Sequence, residues 1–360
     1  MSLTSISLSR FRNHSETTLD GTARLNLLIG PNGAGKTNVL EALSLLSPGR
    51  GLRRAALPDM AQADGNSGFA IGASLTSEGE PVRLGTYTEA ANPSRRKTRI
   101  NTADAPAIAL GEWLAIGWLT PAMDGLFTGS AQDRRRYMDR LALALNPDHA
   151  RHASRYESAL RERNRLLSDD QRPDARWLDA IEAQLAEHGA KLAEGRAALV
   201  DAMMAQVVQT GEEPFPRPAL TYVAGGPVGF DQLSQALHDG RGQDQAARRT
   251  LTGPHRDELD VLYAAKRMPA ALCSTGEQKA LLLAITLAHA ALAEKGRASL
   301  LLLDEVAAHL DPDRRTALFD RLRAGSAQVW MTGTEAAPFA DIIGGEAAVW
   351  DVKDGGATRR

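Results

Sequence analysis

Apolar Leu3, Ile6 and Leu8 alternate with polar residues over positions 1–10 and predict a strand. A second apolar run, RLNLLI at 24–29, predicts a strand leading straight into GPNGAGKT. NVLEALSLL then has helical spacing and is closed by Pro48-Gly49. Residues 51–110 mix short apolar segments with Gly65, Gly68, Gly72, Gly79 and Gly85, the pattern of an antiparallel sheet with loops. Near residue 130 the period changes. From AQDRRRYMDRLALAL to about residue 209 the chain reads as helix, with Leu178, Leu185, Leu192 and Leu199 recurring every seven residues. His188 and Gly195 occupy the intervening heptad positions, where a seam needs apolar side chains, so the spacing predicts short antiparallel helices and not one long coiled coil. Pro214, Pro216 and Pro218 mark a return to mixed structure, with strands at LTYV and ELDVLYA. From 270 the order is helix 276–294, strand 299–303, helix 312–324 and strand 327–331, the alternation of a parallel α/β fold.

Composition narrows the class. The 360 residues are 43% apolar, enough for one large domain or two smaller ones. The formal charge of -2 leaves any anionic partner to be held by local basic patches. A single cysteine, Cys273, fits a reducing compartment. MSLTSISLSRFRNH lacks the basic start and apolar stretch of a signal peptide, and ALLLAITLAHAALAE is too short to span a bilayer. The expectation is a cytoplasmic protein with no membrane partner.

The first candidate chemistry is GPNGAGKTN, residues Gly30, Pro31, Asn32, Gly33, Ala34, Gly35, Lys36, Thr37 and Asn38. Between a strand and a helix, Gly-x4-Gly-Lys-Thr curls the backbone so that its N–H groups face phosphate oxygens. Lys36 is the candidate for the β- and γ-phosphates of ATP, and the Thr37 hydroxyl for Mg²⁺. The second is LLLLDEVAAHLDP. Four leucines predict a buried strand, and Asp304 emerges from its end as a candidate Mg²⁺ ligand. Glu305 follows, placed to polarise an attacking water. The third is CSTGEQKALLL. Ser274, Gly276, Glu277 and Gln278 open a helix, which suits either an ordinary Ser N-cap or a second phosphate-binding surface. Lying more than 230 residues beyond Lys36, such a surface would face the nucleotide of a second copy, joined two-fold.

Taken together, Gly30–Thr37, Ser274–Gln278, Asp304–Glu305 and HLD at 309–311 resemble the phosphate loop, signature, acidic strand and D-loop of ABC-type ATPases. The helical insertion is similar to that of the SMC-like DNA-repair branch. LSRFRNH at 8–14, DRRRYMD at 133–139, YESALRERNRLL at 156–167 and LTGPHRDEL at 251–259 resemble the RecF family of recombination-mediator ATPases over nearly the whole chain.

The resemblance implies an α/β fold, an ABC-type head of two lobes with a mixed sheet and an inserted helical arm. The head would comprise 1–125 and 216–360, and the arm 126–215. It further implies ATP-dependent homodimerisation, slow hydrolysis and binding to single- and double-stranded DNA at their junctions. RecO and RecR would be partners in loading the recombinase RecA. Lys36 and Glu305 would be catalytic, and Thr37 and Asp304 would hold the metal. Ser274, Gly276, Glu277 and Gln278 would meet the opposite nucleotide. Asp311 would sit at the dimer seam, a role compatible with capping the helix after it. Arg12 and Asn13 resemble a nucleotide-contacting segment, and a surface turn fits them also.

Two family features are missing: AIGWLTPAMDG has no Gln where the second lobe begins, and WMTGTE offers Thr332 and Thr334 in place of a switch His. For DNA the candidates are Arg95-Arg96-Lys97-Arg99, Arg134-Arg135-Arg136 and Arg161-Arg163-Arg165, each also readable as a solvated face or intrahelical ion pairs. His255-Arg256-Asp257 fits DNA, seam, ATP or plain loop architecture. The rival readings are the ATP-binding subunit of a transporter and another SMC-like ATPase.

Overall fold

The computed structural model describes residues 1–62, 68–76, 80–169, 174–209, 214–293, 297–307 and 310–360. Gly65, Gly79, the predicted helix end at 294 and His309 lie outside the described residues. Two compact units emerge, the first from Met1–Asp124, Glu212–Phe215 and Leu282–Arg360, the second from Gly125–Gly211 and Pro216–Leu281.

The first unit holds two six-stranded sheets. One is antiparallel, ordered β2-β1-β4-β5-β6-β7, from β1 (Ser2–Phe11), β2 (His14–Asp20), β4 (Ala70–Thr76), β5 (Val82–Glu89), β6 (Asn92–Ile100) and β7 (Ala103–Ala105). Leu3, Ile6, Leu8 and Phe11 of β1 all face the core. A register shift between Leu3 and Ser5 absorbs one extra residue, which is why the apolar spacing skips from 3 to 6.

The other sheet is ordered β15-β14-β3-β13-β12-β8, from β3 (Leu25–Ile29), β8 (Leu114–Leu119), β12 (Ala298–Leu303), β13 (Gln328–Gly333), β14 (Ala347–Lys353) and β15 (Gly356–Arg359). It is parallel from β14 to β8, and only β15 pairs antiparallel. Every residue of β3 and β13 is buried, as expected of parallel strands covered on both faces. The core includes Val39, Leu40 and Leu43 of α1 (Lys36–Ser44), with Leu8, Phe11, Leu302 and Trp330.

The second unit carries α2 (Ala131–Leu145), α3 (Asp148–Ser168), α4 (Ala175–Gln209), α5 (Phe230–Asp239) and α6 (Arg241–Ala247). With them goes an antiparallel sheet ordered β11-β10-β9, made of β9 (Pro218–Val223), β10 (Glu258–Tyr263) and β11 (Met268–Pro269). The helix α7 (Thr275–Leu292) runs from this unit into the first.

Here the structure corrects the sequence reading. Instead of short helices, α4 is one helix of 35 residues. Leu178, Leu185 and Leu192 pack with Tyr156, Leu166, Leu233 and Leu237. The two apparent breakers are packing positions. A Cβ at Gly195 would come within 2.7 Å of His149 Nδ1, so the missing side chain admits α3, and His188 Nδ1 pairs with His152 Nδ1 at 3.2 Å. Close helix approach outweighs the cost of about 1 kcal/mol for an interior glycine.

Arg163 and Arg196 are buried in this unit. Arg163 Nη1 donates to Asp244 Oδ2 at 2.6 Å and Thr250 Oγ1 at 2.9 Å, while its Nε donates to Glu182 Oε1 at 3.0 Å. Arg196 donates to Asp139 and to Asp257. Replacing Arg163 by Met leaves the Asp244 carboxylate buried without its cation and Glu182 with Arg241 alone. The expected loss is about 3–5 kcal/mol, read as a lowered denaturant midpoint of the second unit. An unchanged midpoint would show that water reaches these carboxylates.

Candidate nucleotide site

The phosphate loop is shaped by what its neighbours exclude. A Cβ at Gly30 would overlap the carbonyl oxygen of Val352, and one at Gly35 would press on His14 Nε2 and Asn13. Gly35 adopts φ 115 and Gly33 φ 80, which glycine accepts without strain. Nothing lies within 4 Å of a Cβ at Gly33, so the loop is open on that side. Lys36 Nζ donates to the loop's own carbonyls, Gly30 O at 2.6 Å and Pro31 O at 2.9 Å. Burial lowers its pKa, and the carboxylates of Glu305 and Asp304 partly restore it. The first turn of α1 contains no acidic residue, leaving its positive end available to an anion.

Thr37 ties this loop to the acidic strand, its Oγ1 lying 2.9 Å and 3.1 Å from the two carboxylate oxygens of Asp304. Asp304 Oδ1 also accepts from Thr332 Oγ1 at 2.8 Å, and the same Thr332 oxygen accepts the Glu305 N–H at 2.9 Å. Glu305 has φ 55, a left-handed conformation uncommon for a residue with a side chain. The buried Thr332 hydroxyl therefore fixes both acidic residues at once. The sequence offered it only as a stand-in for a missing histidine, and its partners come from a strand 28 residues away. Thr334 is exposed.

A hydroxyl and a carboxylate in direct contact form a hard oxygen pair that suits Mg²⁺. No group of three or more His, Cys, Asp or Glu able to hold a metal occurs among the described residues. Phosphate and water would have to complete the ion's shell, as Mg²⁺ favours.

Arg12 and Asn13 occupy the turn between β1 and β2 and brace the loop. Arg12 grips the buried Glu41 carboxylate of α1 with Nε and Nη2, at 2.9 and 2.8 Å, and its Nη1 donates to Asp59 O. Asn13 Nδ2 donates to Ala34 O at 3.0 Å, and its Oδ1 accepts from Asn38 Nδ2 at 2.7 Å. The guanidinium of Arg12 is thus committed to protein partners.

The signature stretch lies in the second unit. Ser274 caps α7 in a reciprocal box, its N–H and hydroxyl both 2.9 Å from Glu277 Oε2. The Lys266 ammonium, followed by the Ser274 N–H and hydroxyl, pulls the Glu277 carboxyl pKa down to about 2. Gln278 is buried, donating to Cys273 O at 2.9 Å. Ser274, Thr275 and Gly276 are exposed, and a Cβ at Gly276 would meet nothing. Asp311 caps α8 (Pro312–Ala324), accepting from the Arg314 N–H at 2.9 Å.

Each basic cluster read from the sequence loses members to internal contacts. Arg96 donates to the carbonyls of Leu45, Ser47 and Gly49. Arg134 pairs with Glu258, and Arg135 donates to Asp257 O. Arg163 is the buried staple described above. None of the three clusters is a continuous free basic surface.

A family model described as the RecF/RecN/SMC N terminal domain matches residues 2–342. The chain is 47% identical over 358 residues to the DNA replication and repair protein RecF of Mesorhizobium japonicum, covering 95% of this chain and 94% of that one. It is 46% identical over 372 residues to the protein of the same name from Brucella abortus, covering 99% and 96%. A structure described as the recombination mediator protein RecF-ATPrS in the RecFOR pathway aligns with a TM-score of 0.87 at 20% identity, over 99% of this chain and 97% of that one. An Smc head bound to the C-winged helix domain of ScpA aligns at 0.58 and 13% identity, over 100% and 97%. At these identities the structural likeness speaks for the fold.

Proposed function

The chain belongs to the RecF family within the RecF/RecN/SMC N-terminal domain proteins, and from that premise we propose an ATP-gated DNA-repair protein acting in recombination and replication restart. The observation that carries this reading is the continuous chain from the phosphate loop through Thr37 and Asp304 to Thr332 and Glu305. It joins phosphate grip, metal ligands and a water-facing carboxylate in one unit.

In this reading Lys36 leaves the loop carbonyls for the β- and γ-phosphates of ATP. Gly30 to Asn38 cradle the triphosphate, while Arg12 and Asn13 set the loop against the β1–β2 turn. Thr37 and Asp304 would hold Mg²⁺, which would supply charge neutralisation at the phosphates. Glu305 accepts a proton from the attacking water. Exposed Ser274 and Gly276 cap the nucleotide of a second copy, with Glu277 and buried Gln278 holding that turn from within the chain, and Asp311 lies near that seam. ATP closes a homodimer on DNA, and slow, DNA-stimulated hydrolysis opens it. Residues 1–125 and 216–360 form the head and 126–215 the arm, with 216–281 folded beside the arm as the signature lobe. DNA with single-strand/duplex junctions, RecO and RecR are the partners, and the compartment is the cytoplasm. The relatives' repair name favours this over a transporter subunit.

Sedimentation of the full chain with and without ATP and gapped duplex tests the proposal. A dimer that forms only with ATP and holds DNA is expected. ATP binding with no change in mass or DNA retention would defeat it. Thr332 offers a finer test. Replacing it by Val leaves the Glu305 N–H without its acceptor and Asp304 Oδ1 with Thr37 as its one remaining donor. The expected result is about tenfold slower hydrolysis with a raised Mg²⁺ requirement, and recovery in Thr332→Ser. A Val variant with the parent's Mg²⁺ dependence would remove the hydroxyl's role.

A further inference from the structure

The TGPHRD stretch, Thr252 to Asp257, is anchored on both sides of one residue. Buried Asp257 accepts from Arg196 Nη1 at 2.8 Å and the Tyr222 hydroxyl at 2.6 Å on Oδ2, and from the Gly225 N–H at 2.8 Å on Oδ1. Its carbonyl accepts from Arg135 Nη1 at 2.9 Å, and that of Pro254 from Arg196 at 2.6 Å. His255 Nε2 donates to Thr250 O at 3.0 Å, which leaves Nδ1 to accept from the Tyr156 hydroxyl at 2.8 Å. Burial lowers the His255 pKa, so the ring serves as a neutral bridge. A Cβ at Gly225 would overlap the Arg256 carbonyl carbon, and Gly253 stands at φ 125.

The exception is Arg256. It is exposed, and its guanidinium makes no hydrogen bond or ion pair among the described residues. Burying charges costs several kcal/mol of desolvation for each ion. An apolar anchor would hold a loop that had only to cross the surface. The buried ions and glycines here fix the backbone at one outward cation. Arg249, also exposed, precedes the Thr250 carbonyl that His255 grips, so the two arginines flank the ring which that bond closes.

We propose that Arg256, with Arg249, forms a binding site for the phosphodiester backbone of nucleic acid. The inference rests on the DNA-binding reading above and names the surface that serves it. A guanidinium on a fixed backbone forks two phosphate oxygens without reading bases. Arg256 precedes the Glu258 end of β10, whereas Ser274 comes after β11, whose Met268 pairs with Tyr263 at the other end of β10.

The test is fluorescence anisotropy of the full chain with ATP on labelled gapped duplex, across a salt series. Arg256→Ala is expected to bind about tenfold more weakly on two unrelated sequences. The slope of log affinity against log salt should flatten by about 0.9, the signature of one lost phosphate contact. Arg256→Lys should recover most of the slope, and adding Arg249→Ala should flatten it again. An Arg256→Ala protein that unfolds at the parent's temperature and keeps the parent's affinity and slope overturns the proposal. So does one that loses ATP-driven dimerisation with its salt slope unchanged, which would point to a nucleotide phosphate. If the parent itself retains no DNA with ATP, the functional reading falls along with this one.

Discussion

Glu305→Gln should bind ATP as well as the parent or better, yet turn it over at least a hundredfold more slowly, the loss expected when a positioned general base is removed. The amide is nearly isosteric, and the backbone N–H that Thr332 accepts is untouched. The left-handed turn at Glu305 should therefore survive. What disappears is the carboxylate that takes a proton from water. Its negative charge also raises the pKa of Lys36 and stands near the phosphate loop, so neutralising it does not weaken the attraction for an anion. Binding without release should leave a long-lived dimer and prolonged DNA retention, measured by single-turnover hydrolysis and sedimentation. A variant that dimerises and lets go of DNA at the parent's rate would show that another group activates the water.

Ser274→Arg should abolish ATP-driven dimerisation and leave ATP binding by the monomer intact. The reason is geometric. Ser274 spends its hydroxyl on the Glu277 box yet remains exposed, with Thr275 and Gly276 beside it. Losing the cap costs about 1 kcal/mol locally, too little to unfold the unit. Gly276→Leu provides an independent check. Apart from the backbone of its own helix and its chain neighbours, nothing among the described residues lies within 4 Å of a Cβ there, so the monomer tolerates the side chain, while a second copy pressed against α7 would not. Loss of monomer ATP binding in either variant would put the signature in its own chain's site. Normal dimers in both would leave the signature as an N-cap alone.

The elements legible beforehand were those whose information is local. Gly30 to Thr37 announced a curled loop ahead of a helix because glycine spacing sets both, and the structure has Gly33 and Gly35 at positive φ just before α1. LLLLDE announced a parallel strand because a strand covered on both faces is apolar throughout, and the structure buries Leu300 to Leu303. At Ser274 the sequence left an ordinary N-cap and a second phosphate-binding surface both open, and the structure shows the cap, closed by Glu277. Where the sequence misled, the deciding contacts were distant. Gly195 and His188 look like interruptions of a helix until α3 lies against them. Arg163 and Arg96 look like surface charge until Asp244 and a ring of carbonyls surround them.

The chain itself determined the family, the order of strands and helices around the Gly30–Thr37 loop, and where its glycines, Lys36, Thr37 and the Asp304-Glu305 pair fall on those elements, because these follow from residue type at short range. Only the tertiary structure decided that Thr332 holds Asp304 and Glu305 together, that α4 runs unbroken, and that Arg256 stands alone among anchored neighbours. A side chain's role in those cases depends on who faces it across dozens of residues, and burial converts the same arginine from a solvated charge into a structural staple.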